Sequence, residues 1–146
     1  MIPDSYYFKS SLFNVERGED EETNLGIYGK QLARWLRDGL IALGYEVEPI
    51  IAEDWGWCVM CQRKPFSLWV DCGSLDDQQS RQPFSKDINL EAVIWHCFVE
   101  LEIPFWRKFF NKPDSTVLLE KLKFDLHRLL TNNHNIEMQV KEDVKT

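Results

Sequence analysis

The stretch Glu53-Asp54-Trp55-Gly56-Trp57 puts two carboxylates beside two indoles and a residue without a side chain. Carboxylates next to aromatic faces suit a polar or cationic small ligand, a sugar or a cation held by cation–π contact. Tryptophan is equally a favoured anchor of protein interfaces, where a large rigid ring fills a pocket at low entropy cost. On alternating strand geometry Trp55 and Trp57 share one face, and Gly56 leaves the other face bare. Trp69, on a neighbouring expected strand, is the third indole that approaches them. An aromatic cluster of the sheet, with the acids capping a turn, stays open as the alternative.

Other chemistry-bearing residues are fewer. Cys58 and Cys61 make a C-x-x-C, and Cys72 with His96 or Cys97 would complete four zinc ligands. The pair lies in WCVMCQ, a strand-like run, and residues three apart on a strand point to opposite faces. A thioredoxin-type pair needs a helix N-terminus to depress its thiol pKa, and none precedes this one. Buried reduced thiols are therefore expected, with no metal and no cofactor. His96 sits beside Trp95 in an apolar run with no designated carboxylate, so a structural histidine satisfied within the fold is expected. His127 and His134 are expected at the surface. No G-x-S-x-G, P-loop, dinucleotide fingerprint or H-E-x-x-H occurs, which points away from an enzyme.

Charge narrows the partner. The chain has 146 residues, with 17 Lys plus Arg against 24 Asp plus Glu, a net charge of −7. Nucleic acid and anionic membranes both require clustered positive charge, so neither is expected as a partner. No apolar run reaches the roughly 20 residues of a membrane span. The opening MIPDSYYFKS lacks the pattern of a signal peptide, and a cytoplasmic protein is expected. Acids gather in the expected sheet region, at Glu46, Glu48, Glu53, Asp54, Asp71, Asp76, Asp77, Glu100 and Glu102. The run ERGEDEE at 16–22, including Glu19, Asp20, Glu21 and Glu22, adds a net −4 and reads as a solvated loop. The expected helices carry Lys30, Arg34, Arg37, Lys121, Lys123 and Arg128, so the molecule is electrically two-sided.

The elements that must position these groups follow from periodicity. Residues 5–15 alternate as a strand. Asn24 is a helix N-cap candidate, followed by a stripe of Leu25, Tyr28, Leu32, Trp35, Leu36, Leu40 and Leu43 and by Gly44 as the left-handed C′ residue. Gly39, costly inside a helix, is expected to admit a close neighbour. Four strands follow, over 45–52, 55–63, 66–72 and 91–103, the middle pair joined at Lys64-Pro65. PFWRKFF then makes one helical turn whose rings either plug the sheet end or form an apolar patch, giving a monomer with a weak tendency to dimerise. Asp114 or Ser115 caps a second helix with Leu118, Leu119, Leu122, Leu126, Leu129 and Leu130 inward, and 135–140 add an edge strand. With 44% hydrophobic and 28% charged residues, the chain 1–146 reads as one domain. The expected fold is α+β: an antiparallel sheet of five to six strands with two main helices on one face, in the order β-α-β-β-β-β-α-β.

At EETNLGIYGKQLARWL, EDWGWCVMCQR and FSLWVDCG the chain resembles a small bacterial protein family with a long first helix, an E-D-W-G-W strand and no catalytic assignment. The resemblance spans roughly residues 5–110. More loosely, in size, acidity and architecture, the chain is similar to immunity proteins that neutralise bacterial toxins. That likeness implies a cytoplasmic inhibitor whose protein partner is a cognate toxin or enzyme. The contact residues would be Glu53, Asp54, Trp55, Trp57, Asp71, Asp76 and Asp77, with Glu19 to Glu22 assisting encounter. A small-ligand module or weak hydrolase built on Trp55, Trp57 and Trp69 is the alternative.

Overall fold

The structure is a computed structural model describing residues 2–75, 90–105 and 115–140. In chain order the elements are β1 (Ser5–Ser10), α1 (Glu19–Glu22), α2 (Lys30–Ala42), β2 (Ile51–Glu53), β3 (Gly56–Gln62), β4 (Ser67–Ser74), β5 (Trp95–Glu102), α3 (Ser115–Thr131) and β6 (Ile136–Gln139). The six strands form one sheet in the order β2-β3-β4-β5-β1-β6, and every neighbouring pair is antiparallel. The α+β architecture is thus as the periodicity predicts. The first strand lies between β5 and β6, and β6 is the edge strand beside it, as expected for 135–140.

Alternation assigns the faces. Tyr6, Phe8, Trp57, Val59, Leu68, Val70, Cys72, Trp95 and Cys97 point to the helix side and form one core with Leu32, Leu36 and Leu40 of α2 and Leu122, Leu126 and Leu130 of α3. Burial of these side chains at roughly 1.5–3 kcal/mol each is the main force holding the helices on the sheet. Gly39 meets Leu129 of α3: an added Cβ would sit 3.0 Å from its Cδ2, so the close approach expected there is present.

Several local expectations are corrected. The helix expected after Asn24 is α2 and begins only at Lys30, because Gly26 and Gly29 take positive φ values of 81° and 148° and Leu25 is exposed. Its end agrees, with Gly44 at φ 99° and its N–H donated to Ile41 O. Of the strand expected over 45–52, only Ile51 and Ala52 pair, and Leu118 of α3 is exposed rather than inward. PFWRKFF falls outside the described residues from Trp106 to Phe110; Phe105 is exposed.

The acidic run is the largest correction. Glu19, 1% exposed, and Asp20 are buried, while Glu21 and Glu22 remain exposed. Gly29 offers no side chain to cap α2, and the Glu19 carboxylate does so from outside. Its Oε1 accepts from the Gly29 and Lys30 N–H groups at 2.7 and 3.0 Å, and its Oε2 from the Glu16 N–H at 2.6 Å. Asp20 Oδ2 accepts from the Gly26 N–H. Negative charge at a helix N-terminus is favourable, which is why a run that composition assigns to solvent packs here.

Candidate functional site

The β2–β3 connection is a two-residue turn, Asp54-Trp55, closed by the pair Glu53↔Gly56. Glu53, Asp54 and Trp55 are all exposed, Trp55 by 46%. Gly56 is fixed by its surroundings: at φ 149° an added Cβ would lie 2.5 Å from the Cys72 carbonyl oxygen. Gly73 is enclosed between the Trp55 and Tyr28 carbonyls, at 3.3 and 3.4 Å from where its Cβ would be. The loop before α2 is stitched to the same spot, with the Ser74 N–H donating to Tyr28 O at 2.7 Å and the Tyr28 N–H to Ser74 Oγ at 2.9 Å. Three backbones therefore converge beneath the turn and hold Trp55 on a firm base.

The expected shared face for Trp55 and Trp57 is not found. Trp57 is 2% exposed and points into the core, where Lys30 Nζ lies 5.2 Å from its ring centre. Trp55 sits in the turn, where strand alternation does not apply, and Trp69 is on the helix-free face. The tryptophans are divided between core and surface. Asp76 and Asp77 lie outside the described residues.

What Trp55 does meet is a set of groups from β4 and β5. A cavity of about 270 Å³ is lined by Trp55, Asp71, Cys72, Gly73, Ser74, His96 and Phe98. The register brings these residues together: Asp71 is opposite Phe98 and Cys58, and Gly73 is opposite His96. His96 in turn is opposite Tyr7 of β1, and the two rings stack at 4.4 Å and 9°. Phe98 completes the aromatic row, 5.0 Å from His96.

Asp71 is the chemical centre of this set. It is 7% exposed, and its Oδ1 accepts the Trp69 indole N–H at 2.7 Å. Burial pushes its carboxyl up to about 7; the Trp69 hydrogen bond opposes this, and the charges of Glu100 and Glu53 add to it. Burial also holds His96 below the usual histidine range, so its ring is neutral at pH 7. Its Nε2 is buried with no hydrogen-bond partner among the described residues, contrary to the expectation of a histidine satisfied within the fold. The nearby thiols are poor nucleophiles: burial pushes Cys58 up to about 12 and Cys72 well up.

Cys58 and Cys61 point to opposite faces, Cys58 beside Asp71 and Cys61 against the core, and all four cysteines are free thiols. Among the described residues no group of three His, Cys, Asp or Glu side chains is placed to hold a metal ion, and no helix is long and apolar enough to cross a membrane. A larger groove of about 920 Å³ runs between the C-terminal end of α2, the β3–β4 hairpin and α3. Two of its cations are paired, Arg63 with Glu48 at 2.6 Å and Lys121 with Asp125 at 2.8 Å, and Glu46 and Lys64 also line it. The smaller cavity differs in holding a buried carboxyl, Asp71, beside the imidazole of His96, whose Nε2 is buried.

Sequence reasoning named Asp71 and Trp55 but missed His96, Phe98 and Tyr7 as their neighbours. The signal was partial: Trp69 and Asp71, two apart on a strand, must share a face. Which strand would supply His96 depended on register. Comparisons with protein-family models, with curated proteins and with solved structures find no match for this chain.

Proposed function

We propose that this is a cytoplasmic binding protein of the immunity type, which neutralises a basic protein partner through the β2–β3 turn and the adjoining helix-free face. The observation that carries the reading is Trp55, half exposed on a two-residue turn between exposed Glu53 and Asp54 on one side and the Asp71 cavity on the other. An exposed indole on a rigid base is a low-entropy anchor. Glu100 and Glu102 extend the same face in negative charge, whereas the cations of α2 and α3 lie across the sheet. Such polarity steers a basic surface to one side of the molecule and accelerates encounter. Trp57 has no direct part, and Glu19 and Asp20 act through the fold.

The test is capture from a lysate of the source organism on immobilised protein, with the bound chain identified and assayed for inhibition by the free protein. Wild type is expected to retain and inhibit a basic enzyme. Glu53→Lys with Asp54→Lys, and separately Trp55→Ala, are expected to release it at unchanged far-UV circular dichroism. Equal capture and inhibition by these variants would remove this surface from the reading.

A further inference from the structure

The cavity beneath Trp55 has an asymmetric hydrogen-bonding character. Of the Asp71 carboxylate, Oδ1 takes the Trp69 indole N–H, and no second hydrogen bond reaches the group among the described residues. His96 Nε2 has no partner among the described residues. Two donors of the lining are taken: Ser74 Oγ–H points to Gly26 O at 3.4 Å and Cys72 Sγ–H to Trp57 O at 3.5 Å. The Asp71 carboxylate and, in the Nδ1–H tautomer, His96 Nε2 are left as acceptors, and the Trp55 indole N–H is the side-chain donor beside them. A ligand that only donates is matched to the two inner groups.

The walls narrow the ligand further. Trp55, Phe98 and His96 present flat rings, and Gly73 leaves the floor without a side chain. At about 270 Å³ the space suits one planar head group rather than a large cofactor. Glu53 and Glu100 act on Asp71 through their charge, so the local field favours a cation. A guanidinium is planar, always charged, has five donors and no acceptor, and stacks on aromatic rings. We propose that the cavity receives the guanidinium of an arginine side chain presented by the protein partner. Asp71 and His96 Nε2 accept its N–H groups, and Trp55 covers its face.

This inference rests on the partner-binding reading and adds a pH dependence to it. Asp71 must give up its proton to pair with the cation. The groups facing it are Trp69 on its own strand, Cys58 on β3, His96, Phe98 and Glu100 on β5, and Glu53 on β2; burial holds His96 below the usual histidine range, and no lysine or arginine is among them. Affinity is therefore expected to rise about tenfold per pH unit up to about pH 7 and to level above it.

The experiment uses the isotopically labelled full chain and blocked Gly-Arg-Gly, Gly-Lys-Gly and Gly-citrulline-Gly peptides, followed by nuclear magnetic resonance at about pH 6 and about pH 8. The arginine peptide is expected to shift the Trp55 indole, the His96 ring and the Gly73 amide saturably, more tightly at the higher pH. Citrulline, isosteric but neutral, is expected to leave them unmoved, and lysine to bind several-fold more weakly. Asp71→Asn, which keeps an acceptor for Trp69, is expected to weaken the arginine peptide about tenfold or more. His96→Phe, which keeps the ring stack, is expected to weaken it less. Equal binding of arginine and citrulline, or an unchanged affinity in Asp71→Asn, would overturn the assignment. A flat arginine titration alongside a partner captured through Trp55 would overturn the cavity assignment alone. Saturable arginine binding with no captured partner would keep the guanidinium site and move its source to a free guanidino compound.

Discussion

Glu19 Oε1 accepts the backbone N–H of Gly29 at 2.7 Å, ten residues further along the chain and immediately ahead of the long helix. The contact couples the acidic turn to the loop whose adjacent residue, Tyr28, is bonded to Ser74 beside the cavity. The same carboxylate therefore orients both the helix start and one wall of the site.

Removing that carboxylate leaves three amides, those of Glu16, Gly29 and Lys30, without their acceptor. Glu19→Ala is expected to lower stability by about 2–4 kcal/mol, since an orphaned buried donor costs more than a lost surface charge. Glu19→Gln, which keeps one acceptor oxygen, is expected to recover part of this. Urea denaturation measures both. A loss within about 0.5 kcal/mol for Glu19→Ala would return the residue to the class of solvated surface acids.

The contrast between Leu36 and Glu19 explains what was legible. Leu32, Leu36 and Leu40 announce their common face by spacing alone, because helical periodicity is a local property of the chain. The strands betray themselves similarly, as Phe8 and Tyr6 alternate with Tyr7 and Lys9. Glu19 gives no such sign, since its partners are amides whose position depends on two glycine turns. His96 belongs to the same class: its place beside Tyr7 and Gly73 follows from β1 entering between β5 and β6, a long-range choice that no window of sequence contains. Trp55 was misplaced for a subtler reason, a turn at 54–55 where alternation was extended one residue too far.

Asp71 carries a pH signature of definite sign. Its folded pKa, about 7, lies above its ordinary value near 3.8, so the folded state holds a proton that the unfolded chain has released. Its contribution is fully present below about pH 4 and is lost as pH rises toward 7. Asp71→Asn cannot ionise and is expected to gain on wild type across this window, by on the order of 3 kcal/mol at neutral pH, with no further change above about pH 8. Denaturant midpoints for both proteins from pH 4 to 8 check it. A constant difference between them would mean that the carboxyl titrates normally.

Gly56 and Trp55, adjacent in sequence, are expected to respond in opposite ways. Gly56→Ala places a Cβ 2.5 Å from the Cys72 carbonyl at a φ that favours glycine, and should cost about 3 kcal/mol or more. Trp55→Ala removes an exposed ring and should change stability by less than about 1 kcal/mol while removing partner capture. Thermal melts and the capture assay together read both outcomes. A large loss of stability in Trp55→Ala would recast the indole as a packing residue.

The opposite sign of pH dependence belongs to Asp125, on the far side of the sheet. Burial pushes its carboxyl up, but hydrogen bonds from Lys121 at 2.8 Å and Tyr45 at 2.6 Å outweigh it and hold the group below the usual carboxylate range. A depressed folded pKa gives stability that is present above about pH 4 and lost as pH falls through the folded value. Tyr45→Phe removes one of the two donors and leaves the ring, over which Lys121 Nζ sits at 4.2 Å, in place. The substitution is expected to cost about 1–2 kcal/mol at neutral pH, the worth of a hydrogen bond to a charged group. Below about pH 4 the cost should shrink, because a protonated Asp125 no longer rewards the hydroxyl as strongly. Stability curves for wild type and Tyr45→Phe should therefore converge below about pH 4, whereas those for wild type and Asp71→Asn converge from the opposite side at higher pH, as pH falls from about 7 to about 4. Parallel wild-type and Tyr45→Phe curves would show that the tyrosine contributes through packing and not through the carboxylate it touches.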